Sequence, residues 1–384
     1  MNKFYIKVFG CTMRGIEAQK LHRWFLANGA RPSELKNADV VCVFGCSIIY
    51  ATDKTTLQFI KSINNNRQRI IILGCSPELS KNKISEFFTG EMLATHSLET
   101  IDTLFPDFNV KFNQILLPTE SHKSLDYAKP YLDEFRLHQE HKFFIRNDLP
   151  QIIITGKGCP NACSYCSVRK ALGPLKSYSH EEIIRNYTDA LTKRNNVIIF
   201  NGDDTGAYGF DSGSSFAMLL LDLDSKTPKN KNIKWVIDNL HPQWLIKYET
   251  IILKLVGSGR IVELIVPLQA ASNGMLDAMR RKHHMEQVVP VFEKLKDLSG
   301  ELRLSTHFII GFPGETDADI EALKKLIDRK FFGHINLLRY YESGDAYSHQ
   351  LSPKIDAETT QKNMLMLRDF IQERGIYCQM TIYE

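Results

Sequence analysis

Residues 151–166 read QIIITGKGCPNACSYC, a short apolar run followed at once by three closely spaced cysteines. The run Gln151 to Thr155 has the length and apolar character of a buried β-strand. Cys159, Cys163 and Cys166 follow it with the spacing Cys-x-x-x-Cys-x-x-Cys, which wraps one tight loop around a metal centre. Three cysteines can bind three irons of a [4Fe–4S] cluster and leave the fourth iron open to a small chelating ligand. This stretch therefore predicts a strand that delivers an iron–sulfur site.

The same loop admits two other interpretations. A zinc knuckle or a purely structural loop also uses closely spaced cysteines, but the position of the triplet directly after a buried strand favours the cluster. Tyr165, just before the last cysteine, adds a flat surface on which a nucleobase can pack.

Strands recur through the rest of this half of the chain, with helical stretches between them. Six such β/α units in about 200 residues predict a partial or full barrel of the TIM type, whose active site lies at the carboxyl ends of the strands. The predicted strands are Gln151 to Thr155, Asn196 to Phe200, Ile233 to Ile237, Val262 to Pro267, Arg303 to Ile310 and Phe332 to Leu338.

The first part of the chain also alternates apolar strands with helical stretches, which is typical of a parallel sheet covered by helices. The predicted strands Phe4 to Phe9, Val40 to Phe44 and Ile70 to Leu73 each run into a glycine–cysteine pair. Parallel strands end at the same edge of a sheet, so Cys11, Cys46 and Cys75 are expected to converge there. Matched thiolates of this kind indicate a soft-metal site.

Two alternatives stay open for these three N-terminal cysteines. Each one alone is readily explained as a buried structural residue, and zinc with an open fourth position would suit the same three ligands. By contrast, Cys42 falls inside a predicted strand and Cys378 inside the predicted last helix, so both are assigned to apolar packing.

Composition is that of an ordinary globular protein. The 384 residues carry 48 basic and 44 acidic side chains, and a net charge of +4 neither requires nor excludes a nucleic-acid partner. No apolar run approaches the roughly 20 residues that cross a bilayer, and the N-terminus lacks the features of a signal peptide. We therefore expect a cytoplasmic protein without membrane contact, whose eight cysteines form no disulfides because that compartment keeps thiols reduced.

Domain boundaries follow from these patterns. We expect an N-terminal α/β domain over residues 1–115, a linker over 116–145 with one helix at Leu132 to His141, and a barrel over 146–345. Residues 346–384 are expected to form one amphipathic helix, about Asp356 to Glu373, and a short apolar tail.

The chain resembles the radical S-adenosylmethionine (SAM) enzymes and, within them, the methylthiotransferases. The resemblance spans nearly the whole chain and includes the cysteine triplet of the barrel and the three N-terminal cysteines. Other matching strings are Gly202 to Gly209, His241-Pro242, Pro267 to Ser272 and Gly311 to Thr316. The strings 159–163 and 204–209 look most like the branch that acts on threonylcarbamoyladenosine in transfer RNA.

The resemblance implies two [4Fe–4S] clusters and SAM as cofactors. Cys159, Cys163 and Cys166 would hold the SAM-binding cluster, and Cys11, Cys46 and Cys75 an auxiliary one. Acidic and amide groups after the strand Asn196 to Phe200 would hold the SAM ammonium group at the barrel mouth. The residues assigned to SAM are Tyr165, Gly202, Asp203, Asp204, Gln269, Ser272 and Gly311.

The sequence departs from the family pattern at several points. Leu172 stands where an arginine usually precedes the glycine, His307 replaces a common aspartate, and His283 replaces a common tyrosine. Members that modify tRNA continue into a small RNA-gripping β-barrel called TRAM, for which we expect no room after Glu384. RNA contact would then rest on two basic clusters, Arg280 to His284 and Lys226 to Lys234, which no aromatic platform accompanies in the sequence.

The expected activity is that of a transferase that converts a substrate C–H bond into C–S–CH3, with tRNA as the first candidate substrate and a reducing electron donor as partner. A peptide or protein side chain is the rival substrate. A non-enzymatic iron–sulfur protein, such as an electron carrier or redox sensor, is the alternative from another class. Such C–H bonds are too strong for side-chain bases, so a cofactor must carry the difficult step while the protein orients it.

Overall fold

The computed structural model describes residues 2–48, 50–64, 68–118, 150–193, 196–298, 300–344 and 346–381. The chain divides into two compact units, Met1–Ile152 with Ser167–Pro174, and Ile153–Cys166 with Leu175–Tyr383. The predicted helix at Leu132 to His141 lies outside the described residues. None of the helices that the structure describes is long and apolar enough to span a membrane.

The first unit is built on a five-stranded parallel sheet with the order β2-β1-β3-β4-β5. Its strands are β1 (Lys3–Val8), β2 (Arg31–Pro32), β3 (Val40–Gly45), β4 (Arg69–Gly74) and β5 (Glu91–Ala94). Its helices are α1 (Thr12–Ala27), α2 (Tyr50–Ile63), α3 (Ser76–Leu79), α4 (Lys81–Ser85) and α5 (Val168–Leu172). The predicted parallel α/β arrangement is confirmed.

Alternation along the strands gives this sheet two apolar faces. On one face, Cys42 and Phe44 of β3 pack with α1 residues such as Trp24, and all three side chains are fully buried. On the other face, Val41 and Val43 pack with α2. Both helices are thereby fixed over the sheet, and Cys42 has the packing role expected of it.

The second unit is built on a seven-stranded sheet with the order β14-β13-β12-β11-β10-β9-β6. Neighbouring strands from β9 to β14 pair in parallel. Its strands are β6 (Gln151–Ile154), β9 (Val197–Asn201), β10 (Lys234–Ile237), β11 (Ile261–Ile265), β12 (Arg303–Ile310), β13 (His334–Arg339) and β14 (Tyr377–Thr381). A separate antiparallel pair, β7 (Gly156–Lys157) and β8 (Lys176–Ser177), flanks the segment that carries the cysteine triplet.

Helices connect the successive strands of this partial barrel and cover it. Leucine, isoleucine, valine and aromatic side chains from strands and helices form one continuous core. Because the strands are parallel, the loops that follow them lie at one edge of the sheet. The helices are α6 (His180–Ala190), α7 (Phe216–Lys226), α8 (Pro242–Lys247), α9 (Glu249–Gly257), α10 (Asn273–Ala278), α11 (Met285–Leu298), α12 (Asp317–Asp328) and α13 (Ala357–Gln372).

The end of the chain differs from the prediction. Cys378 does not lie in the last helix but in β14, which pairs with β13 through Ile335 opposite Cys378. The tail continues the sheet because α13 returns the chain to the free side of β13, where unpaired backbone groups are available. The apolar packing predicted for Cys378 is correct, since its side chain lies against the core of the second unit.

A buried ion pair lies inside the partial barrel. Glu263 of β11 and Arg303 of β12 approach to 3.7 Å between Oε1 and Nε, and their side chains are 3% and 13% exposed. Ser305 donates a hydrogen bond of 3.2 Å to the same carboxylate oxygen. Burial raises the pKa of Glu263 from 4.5 to about 7, although Arg303 and Ser305 oppose the shift. Desolvation thus outweighs the attraction of the pair.

We predict that Glu263→Gln flattens the pH dependence of unfolding. Glu263 ionises above pH 4.5 in the unfolded chain but keeps its proton up to about pH 7 in the folded chain. The wild-type protein therefore loses stability as the pH rises through this window. Urea unfolding of both proteins between about pH 5 and pH 8 measures the slope. Glu321→Gln, on an exposed part of α12, is the control. An equal slope in wild type and Glu263→Gln would contradict the assignment.

Candidate functional site

The cysteine loop, residues 158–166, is anchored by the backbone and side chain of one serine. The Ser164 amide donates to the Met279 carbonyl at 3.0 Å, and its hydroxyl donates to the Ala278 carbonyl at 2.7 Å. The Ser164 carbonyl in turn accepts a bond of 2.8 Å from the Ser348 amide. Three bonds to distant segments therefore fix the loop at the carboxyl edge of the sheet.

Cys159 begins a hydrogen-bonded chain that leads to a buried carboxylate. The Asn161 amide nitrogen lies 3.3 Å from Cys159 Sγ and 2.7 Å from Asp204 Oδ2, which also accepts 2.9 Å from the Trp244 indole. Burial raises the pKa of Asp204 to about 6, and burial together with Asp204 raises the pKa of Cys159 to about 12. A metal must therefore displace the thiol proton when it binds here.

Cys163 faces a buried guanidinium. Arg281 is 8% exposed, and its Nη1 lies 3.6 Å from Cys163 Sγ and 3.1 Å from the Tyr165 hydroxyl. Its Nη2 donates to the carbonyl of Pro267, directly after β11. The Cys166 amide donates to the Cys163 carbonyl at 3.1 Å, which closes the turn between the last two cysteines. A metal-bound thiolate at Cys163 would lie next to this positive charge.

The acidic string after β9 supports the loop from the other side. Asp203 Oδ2 accepts a bond of 2.8 Å from the Gly158 amide, one residue before the first cysteine. A Cβ on Gly202 would come within 3.1 Å of the Thr155 hydroxyl, so this position is crowded for any larger residue. The structure thus brings Asp203 and Asp204 against the cysteine loop, and Gly202 against Thr155 just before it.

Two other residues that the resemblance assigns to SAM have structural roles within the fold. Ser272 caps α10 by accepting from the Met275 amide at 3.3 Å, and its hydroxyl donates to Asp319. Gly311 has φ +81°, and a Cβ there would collide with Thr360 of α13. A tight turn explains this glycine.

The N-terminal cysteines lie at the ends of three adjacent strands. In the sheet register, Val8 is opposite Phe44 and Gly45 is opposite Gly74. The Cys75 amide donates to the Gly45 carbonyl at 2.9 Å. A Cβ on Gly10 would lie 3.4 Å from the Cβ of Cys46, so the segment before Cys11 passes directly beside Cys46.

Glycine is required where these strands end. Gly74 has φ +91°, and a Cβ there would lie 2.7 Å from the Gly45 carbonyl oxygen. A Cβ on Gly45 would in turn collide with Ser76 of α3. Gly45 and Gly74 therefore have a steric origin, since only glycine lets the ends of β3 and β4 approach each other this closely.

Zinc and a [4Fe–4S] cluster place different demands on the two cysteine triplets. Among the residues that the structure describes, no three histidine, cysteine, aspartate or glutamate side chains are grouped as ligands of a single metal ion. A [4Fe–4S] cluster makes a different demand, because each cysteine binds its own iron.

Comparison with known proteins identifies the family. The radical SAM superfamily pattern matches residues 153–327, and that of the uncharacterized protein family UPF0004 matches residues 3–94. A probable threonylcarbamoyladenosine tRNA methylthiotransferase of Pyrococcus abyssi is 28% identical over 346 residues, which cover 88% of this chain and 77% of the relative. The chain belongs to the radical SAM methylthiotransferase family. It is a transferase whose family uses an iron–sulfur cluster and SAM.

Further relatives agree with this assignment. The threonylcarbamoyladenosine tRNA methylthiotransferase of Danio rerio is 25% identical over 346 residues, which cover 89% of this chain and 61% of the relative. Among solved structures, the radical SAM methyltransferase TsrM from Kitasatospora setae, with cobalamin and a [4Fe–4S] cluster bound, has a TM-score of 0.61 at 9% identity and covers 91% of this chain and 77% of its own. This likeness confirms the fold.

The barrel mouth of this radical SAM methylthiotransferase suits a polar cofactor. Several buried oxygens and nitrogens there find no hydrogen-bond partner within the described chain, and an unpaired buried polar atom is costly. Gln269, held at φ +74° after β11, contributes one of them. A ligand with amino, carboxylate and hydroxyl groups, such as SAM, would satisfy them. The atoms are Asn201 Oδ1, Asp204 Oδ1, Thr205 Oγ1, His241 Nε2 and Gln269 Oε1.

Sequence reasoning missed the role of Arg281. Of the basic cluster Arg280 to His284, considered for RNA contact, Arg281 and His283 are 8% and 2% exposed and so are not part of a basic surface. Burial beside Arg281 lowers the pKa of His283 to about 3, so it is neutral. No signal in the sequence distinguishes Arg281 from its exposed neighbours. The role of Asn161, in contrast, could have been inferred from the sequence, because this residue lies between two cysteines of the loop.

We predict that Asp204→Asn weakens SAM binding roughly ten- to a hundredfold, the effect of losing one charge-assisted hydrogen bond. Asp204 places one buried oxygen without a partner at the cysteine loop. Equilibrium dialysis with cluster-loaded protein measures the dissociation constant. Ser272→Ala is the matched control, since its hydroxyl is used for capping and should affect stability by about 1 kcal/mol instead. Equal SAM affinities of wild type and Asp204→Asn would refute the role.

Proposed function

We propose that this enzyme converts a C–H bond of an N6-threonylcarbamoyladenosine residue in tRNA into C–S–CH3, using two [4Fe–4S] clusters. The observation that carries the proposal is the pair of cysteine triplets, each set at the carboxyl edge of its own parallel sheet. The curated relatives, named for this substrate, support the choice of tRNA.

The residues of the chain would divide the work between the two units. Cys159, Cys163 and Cys166 would hold the cluster that binds SAM, and the N-terminal triplet would hold the one that handles sulfur. When bound and reduced by one electron from an external donor, the barrel cluster would cleave SAM to methionine and a 5′-deoxyadenosyl radical, which would supply the hydrogen abstraction. Asp204 and Gln269 would orient SAM with their buried oxygens, and Arg281 would balance the thiolate charge.

We predict about eight irons per chain after anaerobic reconstitution, because each triplet can hold one four-iron cluster. Replacing Cys11, Cys46 and Cys75 together with alanine should halve the iron. This variant should still cleave SAM to 5′-deoxyadenosine but add no sulfur to any substrate. Replacing Cys159, Cys163 and Cys166 should also halve the iron, yet abolish both outputs. Iron analysis and a SAM-cleavage assay with dithionite distinguish the two variants.

Other results would contradict this division. About four irons in the wild-type protein, or zinc at the N-terminal triplet, would refute the two-cluster arrangement. Sulfur insertion by the N-terminal variant would make that triplet purely structural. A wild-type protein that binds iron but makes no 5′-deoxyadenosine would be the electron carrier or sensor considered above.

An exposed stacking surface beside the cysteine loop supports RNA as the substrate. The Arg280 guanidinium lies 3.6 Å from the centre of the Tyr347 ring, and Tyr347 is 46% exposed. The neighbouring Ser348 bonds to Ser164 of the cysteine loop, so the stack sits at the rim of the site. Exposed Lys282 adds a second positive charge. The aromatic platform that the sequence did not reveal is thus supplied by a residue distant in the chain.

The other basic cluster is placed differently. Lys226 to Lys234 run from the end of α7 to the first residue of β10 and therefore lie at the amino edge of the sheet, opposite the cysteine loop. Several of these lysines are already used within the fold: Lys226 pairs with Asp222 at 2.6 Å, and Lys234 bonds to the Gly259 carbonyl at 2.9 Å. This cluster therefore supports no substrate contact at the cysteine loop.

We predict that Arg280→Gln and Tyr347→Ala each weaken tRNA binding roughly five- to a hundredfold, the range for loss of one base-stacking contact. Cleavage of SAM without RNA should not change. Fluorescence anisotropy with unmethylthiolated tRNA at fixed salt gives the affinities, and exposed Lys229→Gln at the opposite edge is the control.

If tRNA from cells lacking the enzyme keeps its methylthio group while a peptide loses one, the substrate is a protein side chain.

A further inference from the structure

One arginine of the first unit is fully buried beside the N-terminal cysteines. Arg14, in the first turn of α1, is 1% exposed, and its Nη1 lies 3.9 Å from Cys75 Sγ. Its stem runs along the strand ends: a Cβ on Gly10 would lie 3.1 Å from Arg14 Cγ, and one on Gly74 would lie 3.7 Å from Arg14 Cδ. The guanidinium thus reaches across the edge where the three strands end.

The partners of Arg14 include a buried carboxylate and a hydroxyl. Its Nε lies 3.2 Å from Glu17 Oε2, whose side chain is also 1% exposed, and its Nη1 donates to the Thr95 hydroxyl. Taking an ion pair out of water costs free energy that the pair itself does not reliably recover. The stability of the fold therefore does not explain why a guanidinium is held at this edge. An additional negative charge at the same edge would explain it.

The second unit repeats the arrangement with unrelated elements. Arg281 is likewise buried, and its Nη1 lies 3.6 Å from Cys163 Sγ. Arg14 follows its first cysteine by three residues in a helix, whereas Arg281 comes from the loop after α10, more than a hundred residues beyond Cys163. Each triplet therefore has one buried guanidinium near a sulfur, reached by a different route. At both sites, such a positive charge would balance the negative charge of three thiolates and the cluster that they hold.

We propose that Arg14 is a positioning residue that balances the negative charge of the cluster held by Cys11, Cys46 and Cys75 and thereby raises its reduction potential. The inference rests on the proposed second cluster. One-electron reduction by an external donor such as dithionite adds one negative charge to the cluster. A fixed positive charge in a water-poor environment stabilises that reduced form, and the buried Glu17 carboxylate opposes it.

Two neighbouring variants with opposite charge changes test the proposal. Arg14→Gln removes the positive charge and should shift the potential of the N-terminal cluster to a more negative value. Glu17→Gln removes the negative charge from the same helix and should shift that potential to a more positive value. Arg14→Lys keeps the charge and should stay nearer to wild type than Arg14→Gln does. A residue that only stabilises the fold would not give shifts of opposite sign.

The measurement is an EPR-monitored redox titration of the full-length, reconstituted protein, with iron content determined on every sample. The barrel cluster, recognised by the change of its signal when SAM is added, is the internal reference and should keep its potential. Opposite shifts confined to the other signal would support the role of Arg14. Equal potentials, or shifts of the same sign, in variants that keep about eight irons would overturn it.

Failure of the two-cluster proposal gives a different result. Wild-type protein with about four irons, all in the cluster that responds to SAM, would refute the N-terminal cluster and with it this inference. If Arg14→Gln does not fold, Glu17→Gln decides alone. An unchanged or more negative potential in that variant would then overturn the role of Arg14.

Discussion

Parallel strand register is the constraint on which both cysteine sites depend. In a parallel ladder the ends of neighbouring strands lie side by side, so the residues after those ends meet although they are far apart in the sequence. In the first unit the pairing of Gly45 with Gly74 carries Cys46 and Cys75 to the same level. In the second unit the Thr155 amide bonds to the Asn201 carbonyl, which sets the start of the cysteine loop beside the acidic string after β9. A shift of one residue in either ladder would separate these groups.

Burial of charge is the second theme of the structure. Hydrogen bonds from Asn161 and Trp244 hold Asp204 in place, yet desolvation still raises its pKa to about 6. The Arg281 guanidinium acts against this rise in the pKa of Asp204. The site thus places both a carboxylate and a guanidinium against the cysteine loop. Such fixed charges need little reorganisation when a charged cofactor binds.

Much of this arrangement could be predicted from the sequence because it depends on local rules. Short apolar runs followed by glycine and cysteine located the strand ends, and the six predicted strands of the partial barrel all appear within a few residues of their expected bounds. The placement of Arg281 depends on tertiary packing, since its run of five basic residues looks uniform in sequence and only folding buries two of them. Cys378 was wrongly placed in a helix because an edge strand of five residues carries little signal of its own and forms by pairing with β13.

The crowded glycines at the ends of β3 and β4 have a consequence for how the protein matures. The backbone there is fixed by sterics and by the bond from the Cys75 amide to the Gly45 carbonyl, while the sheet behind it is held by aliphatic and aromatic side chains on both faces. Small metal-dependent domains, in contrast, fold only when their ion arrives. Iron bound by the proposed N-terminal cluster would therefore be added to a sheet whose strand ends are held in place by other contacts.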